Sequence, residues 1–382
     1  MTRAVGTSGS GLRSAFDAAL IMAVGMGFGR FAFTAVYPHM VDEGLLTLHG
    51  GSLAASANYA GYLIGALLAT RMRAHDAHRL CVLSFVGTAV CLAVLAAIES
   101  IPLIIFIRGV AGVFSALAMV GASLWLLAHR GQMHRAPLLY AGVGIGIALS
   151  AELLVLGAHA GLSSQGLWLM LGVVSLAIGL AAAPGLLSKT APAVAAARTP
   201  GLPNAAPVKP LPLIVIYGLA GFGYIITATY LPLLVKSALP DLDSGHVWAV
   251  FGVGAIGSCF LWHSAHQRFG TRAALTANLV VQAFGVVLPA LLPSAAGYLL
   301  SALLVGGTFT GTVTIAVPAA QRIAREGRGN LVAIMTVVYG VGQIVGPIVA
   351  NALFNATQTF TSSLIAAGAA LLAAAVLSVR GL

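Results

Sequence analysis

The chain has 382 residues, 59% of them hydrophobic and only 7% charged, and its mean hydropathy is +0.99. Soluble domains carry about 25% charged residues, so this balance excludes a soluble globular domain and puts the chain in a lipid bilayer. The formal net charge of +10 would suit an acidic partner, but the basic residues sort to one side of the membrane, so they read as a topology signal and no nucleic-acid partner is expected.

Apolar segments of about twenty residues, long enough to cross a bilayer as helices, recur along the chain. The first six are Ser14–Met40, Leu48–Thr70, Leu80–Ile98, Ile101–Ala128, Leu138–Ala158 and Gly166–Leu187. The stretch Ser188 to Pro210, rich in proline and alanine and without apolar periodicity, reads as a linker. Six more segments follow: Leu211–Val235, Gly245–Ala265, Ala273–Leu292, Ala295–Ala319, Asn330–Leu353 and Phe360–Val379. The expected architecture is all-α and integral to the membrane, twelve helices in two six-helix bundles, 1–187 and 211–382, joined by the linker 188–210. The short polar start, with no small-residue cleavage site behind it, leaves the first helix as an uncleaved anchor.

Of the nineteen lysines and arginines, sixteen fall at one set of helix ends: Arg3, Arg13, Arg71, Arg73, Arg79, Arg130, Arg135, Lys189, Arg198, Lys209, Arg268, Arg272, Arg322, Arg325, Arg328 and Arg380. Only Lys236 falls at the other set, among Asp42, Glu43, Glu99, Asp241 and Asp243. Basic residues stay on the cytoplasmic side, so both termini and the linker are expected there, in a multi-pass protein of the inner (cytoplasmic) membrane. The remaining two, Arg30 and Arg108, lie inside apolar spans.

The halves share an internal repeat. GFGRFAFTAVYP, from Gly27, matches GFGYIITATYLP, from Gly221: Gly27, Phe28 and Gly29 align with Gly221, Phe222 and Gly223, and Pro38 aligns with Pro232. Arg30 falls opposite Tyr224. Six helices, a linker, six helices and a repeat together resemble the major facilitator superfamily. The loop HQRFGTR keeps Arg268, Gly270 and Arg272 of that superfamily's loop motif, with His266 near the place of its aspartate. The equivalent loop of the first half keeps Gly65 but has Ala69 where the acid is expected. IRGVAGVFSALA resembles the R-x-x-x-G signature through Arg108 and Gly112, and in many members that arginine is tied to proton coupling. Gly142 and Gly146 have the spacing of the antiporter motif, but its Gly-Pro step stands instead at Gly346-Pro347. GFGRFAF followed by Tyr-Pro looks most like the YbfB/YjiJ branch. The resemblance implies a transporter, not an enzyme, in which the first, fourth, seventh and tenth helices line a central cavity.

Charges at membrane depth cost at least ~2.5–3.5 kcal/mol on insertion scales, so they need a polar cavity or a partner. At a rise of about 1.5 Å per residue, Arg30 and Glu152 come ~5 Å outward of mid-membrane and Arg108 ~9 Å. All three are therefore expected in one slab. Two readings fit. In one, the two arginines bind an anionic substrate and Glu152, with Arg108, carries the coupling proton. In the other, Glu152 neutralises one arginine and the second caps helix carbonyls. Polar residues at helical spacing complete the expected substrate site: Thr34 and Tyr37 with Arg30, Tyr217 and Tyr224, Thr308 and Thr312, Tyr339 and Gln343. Asn58 and Tyr62 form a further stripe. A threonine in such a stripe can equally bond back to its own helix.

Gly25/Gly29, Gly61/Gly65, Gly142/Gly146, Gly307/Gly311 and Gly342/Gly346 have small-xxx-small spacing for close packing of helices that rock against each other. No strand precedes them, so no dinucleotide loop is expected. His263 and His266 lack a third ligand, and Cys81, Cys91 and Cys259 lack paired spacing, so neither metal nor cofactor is expected. The sequence thus reads as a monomeric, proton-coupled secondary transporter of a small anionic organic solute. Proton-driven efflux of drugs or metabolites is the rival within transport. A membrane-embedded enzyme or a sensor is the rival outside it.

Overall fold

The computed structural model describes residues 6–72, 74–187, 209–325 and 331–382. Among these there is no strand, and helix follows helix with short connections. The helices run α1 Gly11–Asp42, α2 Leu48–Ala69, α3 Ala77–Leu95, α4 Ile101–His129, α5 Ala136–His159, α6 Ser164–Leu187 and α7 Pro210–Ala238. After one 48-residue stretch, Ser244–Leu291, come α10 Ala295–Arg325, α11 Leu331–Thr357 and α12 Thr361–Gly381.

That long stretch is two spans. At about 1.5 Å per residue it would measure ~72 Å, more than twice a hydrocarbon core of about 30 Å. It breaks at Gly270, whose φ of 79° and ψ of 175° no helix contains and few residues other than glycine adopt. Residues 244–269 therefore form α8 and residues 271–291 form α9, giving twelve spans in the expected order. The segment 188–208, nearly all of the expected linker, lies outside the described residues.

The surface is inverted relative to a soluble protein. Leu180, Leu156 and Phe106 are 77%, 65% and 64% exposed, as side chains facing lipid rather than water. Ends are fixed by ordinary devices. The Thr47 hydroxyl accepts from Gly50 N at 3.0 Å and starts α2, and the Asp243 carboxylate accepts from Gly245 N at 2.8 Å and starts α8. Glu43 caps α6 from a distance, accepting from Ser164 N at 2.7 Å and from its hydroxyl.

Within the first six helices α1 is central. Gly25 faces Ala118 of α4, Gly27 faces Gly146 of α5 and Gly29 faces Thr88 of α3. A Cβ on Gly27 would come 2.4 Å from the Gly146 backbone, so only glycine permits these helices to meet. The last six repeat the plan around α7. Across the middle, α5 packs on α8 and α2 on α11.

Candidate functional site

The internal repeat is broken at one place. α7 is a regular helix through Gly221–Tyr224, whereas α1 widens into π-helix over Ala23–Phe31. Such widenings leave backbone carbonyls poorly paired and occur at functional sites. Here side chains from neighbouring helices reach those carbonyls. Ser115 Oγ donates to Gly25 O at 2.6 Å, and Arg108 donates from Nη1 to Gly29 O and from Nη2 to Arg30 O, both at 3.0 Å. From the second half, Trp248 Nε1 donates to Phe31 O at 3.2 Å.

Arg108 is thereby a brace. Its guanidinium lies 4.4 Å from the Phe33 ring centroid, Asn58 donates to its carbonyl at 2.8 Å, and it is 1% exposed. Of the two readings drawn from sequence, the arginine that caps helix carbonyls has its structural counterpart here.

Arg30 is equally buried, at 3%, and differently placed. Its guanidinium carbon sits 4.2 Å from the ring centroid of Tyr62, 5.0 Å from Tyr59 and 5.2 Å from Phe31. Among the described residues no carboxylate forms an ion pair with it, and its Nε is buried without a hydrogen-bond partner. A cation enclosed by aromatic faces gains some attraction from their quadrupoles, but its hydrogen-bonding capacity stays unused.

The second half faces this cage with its own aromatic set. Tyr217 stacks on Tyr339 at 4.4 Å between centroids, Tyr339 on Tyr224 at 5.9 Å and Tyr224 on Phe309 at 5.3 Å. Phe309 meets Phe31 edge-on at 5.8 Å, joining the two sets. Gln343 donates to the Tyr224 hydroxyl while its own Oε1 is buried and unpaired. Tyr224 and Tyr339 lie within electrostatic range of the Arg30 charge. The structure therefore brings Arg30, Tyr217, Tyr224, Tyr339 and Gln343 together, and adds Tyr59, Tyr62 and Phe309.

Other expected residues stand elsewhere. Thr308 bonds back to Leu304 O and Val305 O, and Thr312 donates to Asn278 Oδ1 of α9 at 2.7 Å, so both face into the second half. Thr34 donates across the seam to Ala228 O at 2.7 Å, and the Tyr37 hydroxyl donates to Leu48 O at 2.9 Å. Glu152 does not join the arginines. It is 47% exposed and its Oε1 lies 3.0 Å from His246 Nδ1, across the seam between α5 and α8. Rise per residue gives depth but not azimuth, and at about 100° per residue the side chain of Glu152 faces α8 rather than α1.

The seam is closed at one end. Thr34–Ala228, Ser52–Tyr230, Tyr59–Thr229, Ser56–Ile344 and Asn351–His49 link the halves, together with the pairs Lys236–Asp42, Glu152–His246 and His159–Asp243. All lie in the half of the bundle remote from the chain termini. Among the described residues no such bond joins the halves nearer the termini. No group of three His, Cys, Asp or Glu among them could hold a metal; His266 pairs with Thr271 and His263 with Gln267.

A family model described as "Uncharacterised MFS-type transporter YbfB" matches residues 22–379. No curated protein matches the chain.

Proposed function

The chain belongs to the YbfB-type family of major facilitator superfamily transporters, and on that premise we propose that it carries a small anionic organic solute across the cytoplasmic membrane by alternating access. The observation that carries this reading is Arg30, a cation buried between the halves with no carboxylate partner among the described residues. A permanent positive charge at that depth costs energy unless something neutralises it. A cargo carboxylate would do so through the guanidinium fork, and a cationic drug would add like charge.

In the closed seam remote from the termini, the conformation would open toward the other end, where the cargo leaves or enters. That end carries Arg13, Arg71, Arg79, Arg130, Arg135, Arg268, Arg272, Arg322 and Arg380, which supports its assignment to the cytoplasm. Impermeant thiol labelling of intact cells should modify Asp241→Cys and spare Thr199→Cys; the opposite pattern would overturn this orientation.

Proton coupling rests on the Glu152–His246 pair. The pair bridges the two halves, so opening the remote end would separate its members. In proteoliposomes Glu152→Gln should abolish accumulation driven by a pH gradient while exchange at equal pH continues. Accumulation that survives would place the proton site elsewhere. The anion reading has its own test: Arg30→Gln should abolish binding of every organic acid that stabilises the purified protein against heat, and retained binding would refute it.

A further inference from the structure

We propose that the cargo is a small planar aromatic carboxylate carrying a hydrogen-bond donor opposite its acid group. The inference deepens the anion reading of the same site and rests on it. Among the described residues, the buried polar atoms without partners include Arg30 Nε, a donor on a cation, and Gln343 Oε1, an acceptor. Buried polar groups are ordinarily satisfied, so each points to a ligand atom of complementary kind. One calls for a carboxylate, the other for a hydroxyl or N–H.

Between them the walls are rings. Arg30 lies over Tyr59 and Tyr62 from the first half, and the mutually stacked Tyr224 and Tyr339 flank it from the second. Of the nine tyrosines in the chain, Tyr59, Tyr62, Tyr217, Tyr224 and Tyr339 gather here. Forked pairing makes a carboxylate coplanar with the guanidinium. In a benzoate-type acid the ring continues that plane, so rings that stack on the guanidinium can also stack on the cargo. A saturated ring of the same size is puckered and has no π-face. The donor at its far side would then meet Gln343, whose Nε2 is already committed to Tyr224.

The test uses the purified full-length protein and four probes: 4-hydroxybenzoate, benzoate, cyclohexanecarboxylate and benzylamine. Benzoate should bind roughly five- to tenfold more tightly than cyclohexanecarboxylate. 4-Hydroxybenzoate should gain about tenfold more, and Gln343→Leu should bring its ratio to benzoate close to one. Equal binding of benzoate and cyclohexanecarboxylate would overturn the aromatic claim and leave the anion reading standing. An unchanged hydroxybenzoate ratio in Gln343→Leu would overturn the donor assignment alone. Binding of benzylamine with none of the acids would overturn both the inference and the anion reading beneath it.

Discussion

Two arginines of nearly equal burial have opposite logic. Arg108 spends its fork on the carbonyls of Gly29 and Arg30, and its backbone carbonyl on Asn58. Lysine keeps the charge but cannot hold two carbonyls at once. Arg108→Lys should therefore lower stability by about 1.5–3 kcal/mol, the range for a hydrogen bond to a charged group, and chemical denaturation would measure it. Affinity for the cargo should change far less than stability. Arg30 shows the reverse. With no carboxylate paired to it among the described residues, Arg30→Met removes a buried charge and should leave the Tm of the empty protein unchanged or raised, while ligand-induced stabilisation disappears. If Arg30→Met unfolds the protein and Arg108→Lys is silent, the roles given to the two residues are reversed.

At the scale of the element, the π-helical turn of α1 is the local departure that makes a site from a repeat. Its glycines let α3, α4 and α5 close on it, and the contact of Gly27 with Gly146 leaves no space for a side chain. Gly146→Val should separate α1 from α5 and sharply reduce the yield of folded protein on size-exclusion chromatography, whereas Gly257→Ala, at a position with open space, should not. The twelve spans were legible because lipid forces every backbone group into a helix, so hydropathy and length alone locate them. Within the site, the sequence pointed to Arg30 through its charge and to Tyr224 through the repeat, and Tyr217, Tyr339 and Gln343 followed from helical spacing. Tyr59 escaped because it sits beside the polar Asn58–Tyr62 stripe and reaches Arg30 by its ring face rather than its hydroxyl. The π-segment has no periodic signature. Glu152 meets His246 rather than the arginines, because only packing sets which neighbour a helix face meets.

At the scale of the whole molecule, a cation sealed from one side by hydrogen bonds between two halves fits the alternating access proposed above. The seal is made of small terms. An exposed pair such as Lys236–Asp42 contributes about 0.2–1 kcal/mol, and the neutral bonds at Thr34, Ser52 and Tyr59 about 0.5–1.5 kcal/mol each. Terms of that size suit an equilibrium that cargo must be able to reverse, since ligands shift conformations only by their differential affinity. The seal should accordingly respond to one change of charge. Lys236→Glu replaces attraction to Asp42 by repulsion and should shift the population toward opening by roughly two- to tenfold. A cysteine at Ala228, fully buried beneath the seal, reports it once Cys81, Cys91 and Cys259 are replaced. An impermeant maleimide applied to intact cells should label Ala228→Cys slowly in the native background and several-fold faster with Lys236→Glu. Adding Asp42→Lys restores opposite charges across the seam and should return labelling to its first rate. Labelling that ignores the first charge change, or is not rescued by the second, would mean that the halves do not open at the end remote from the termini.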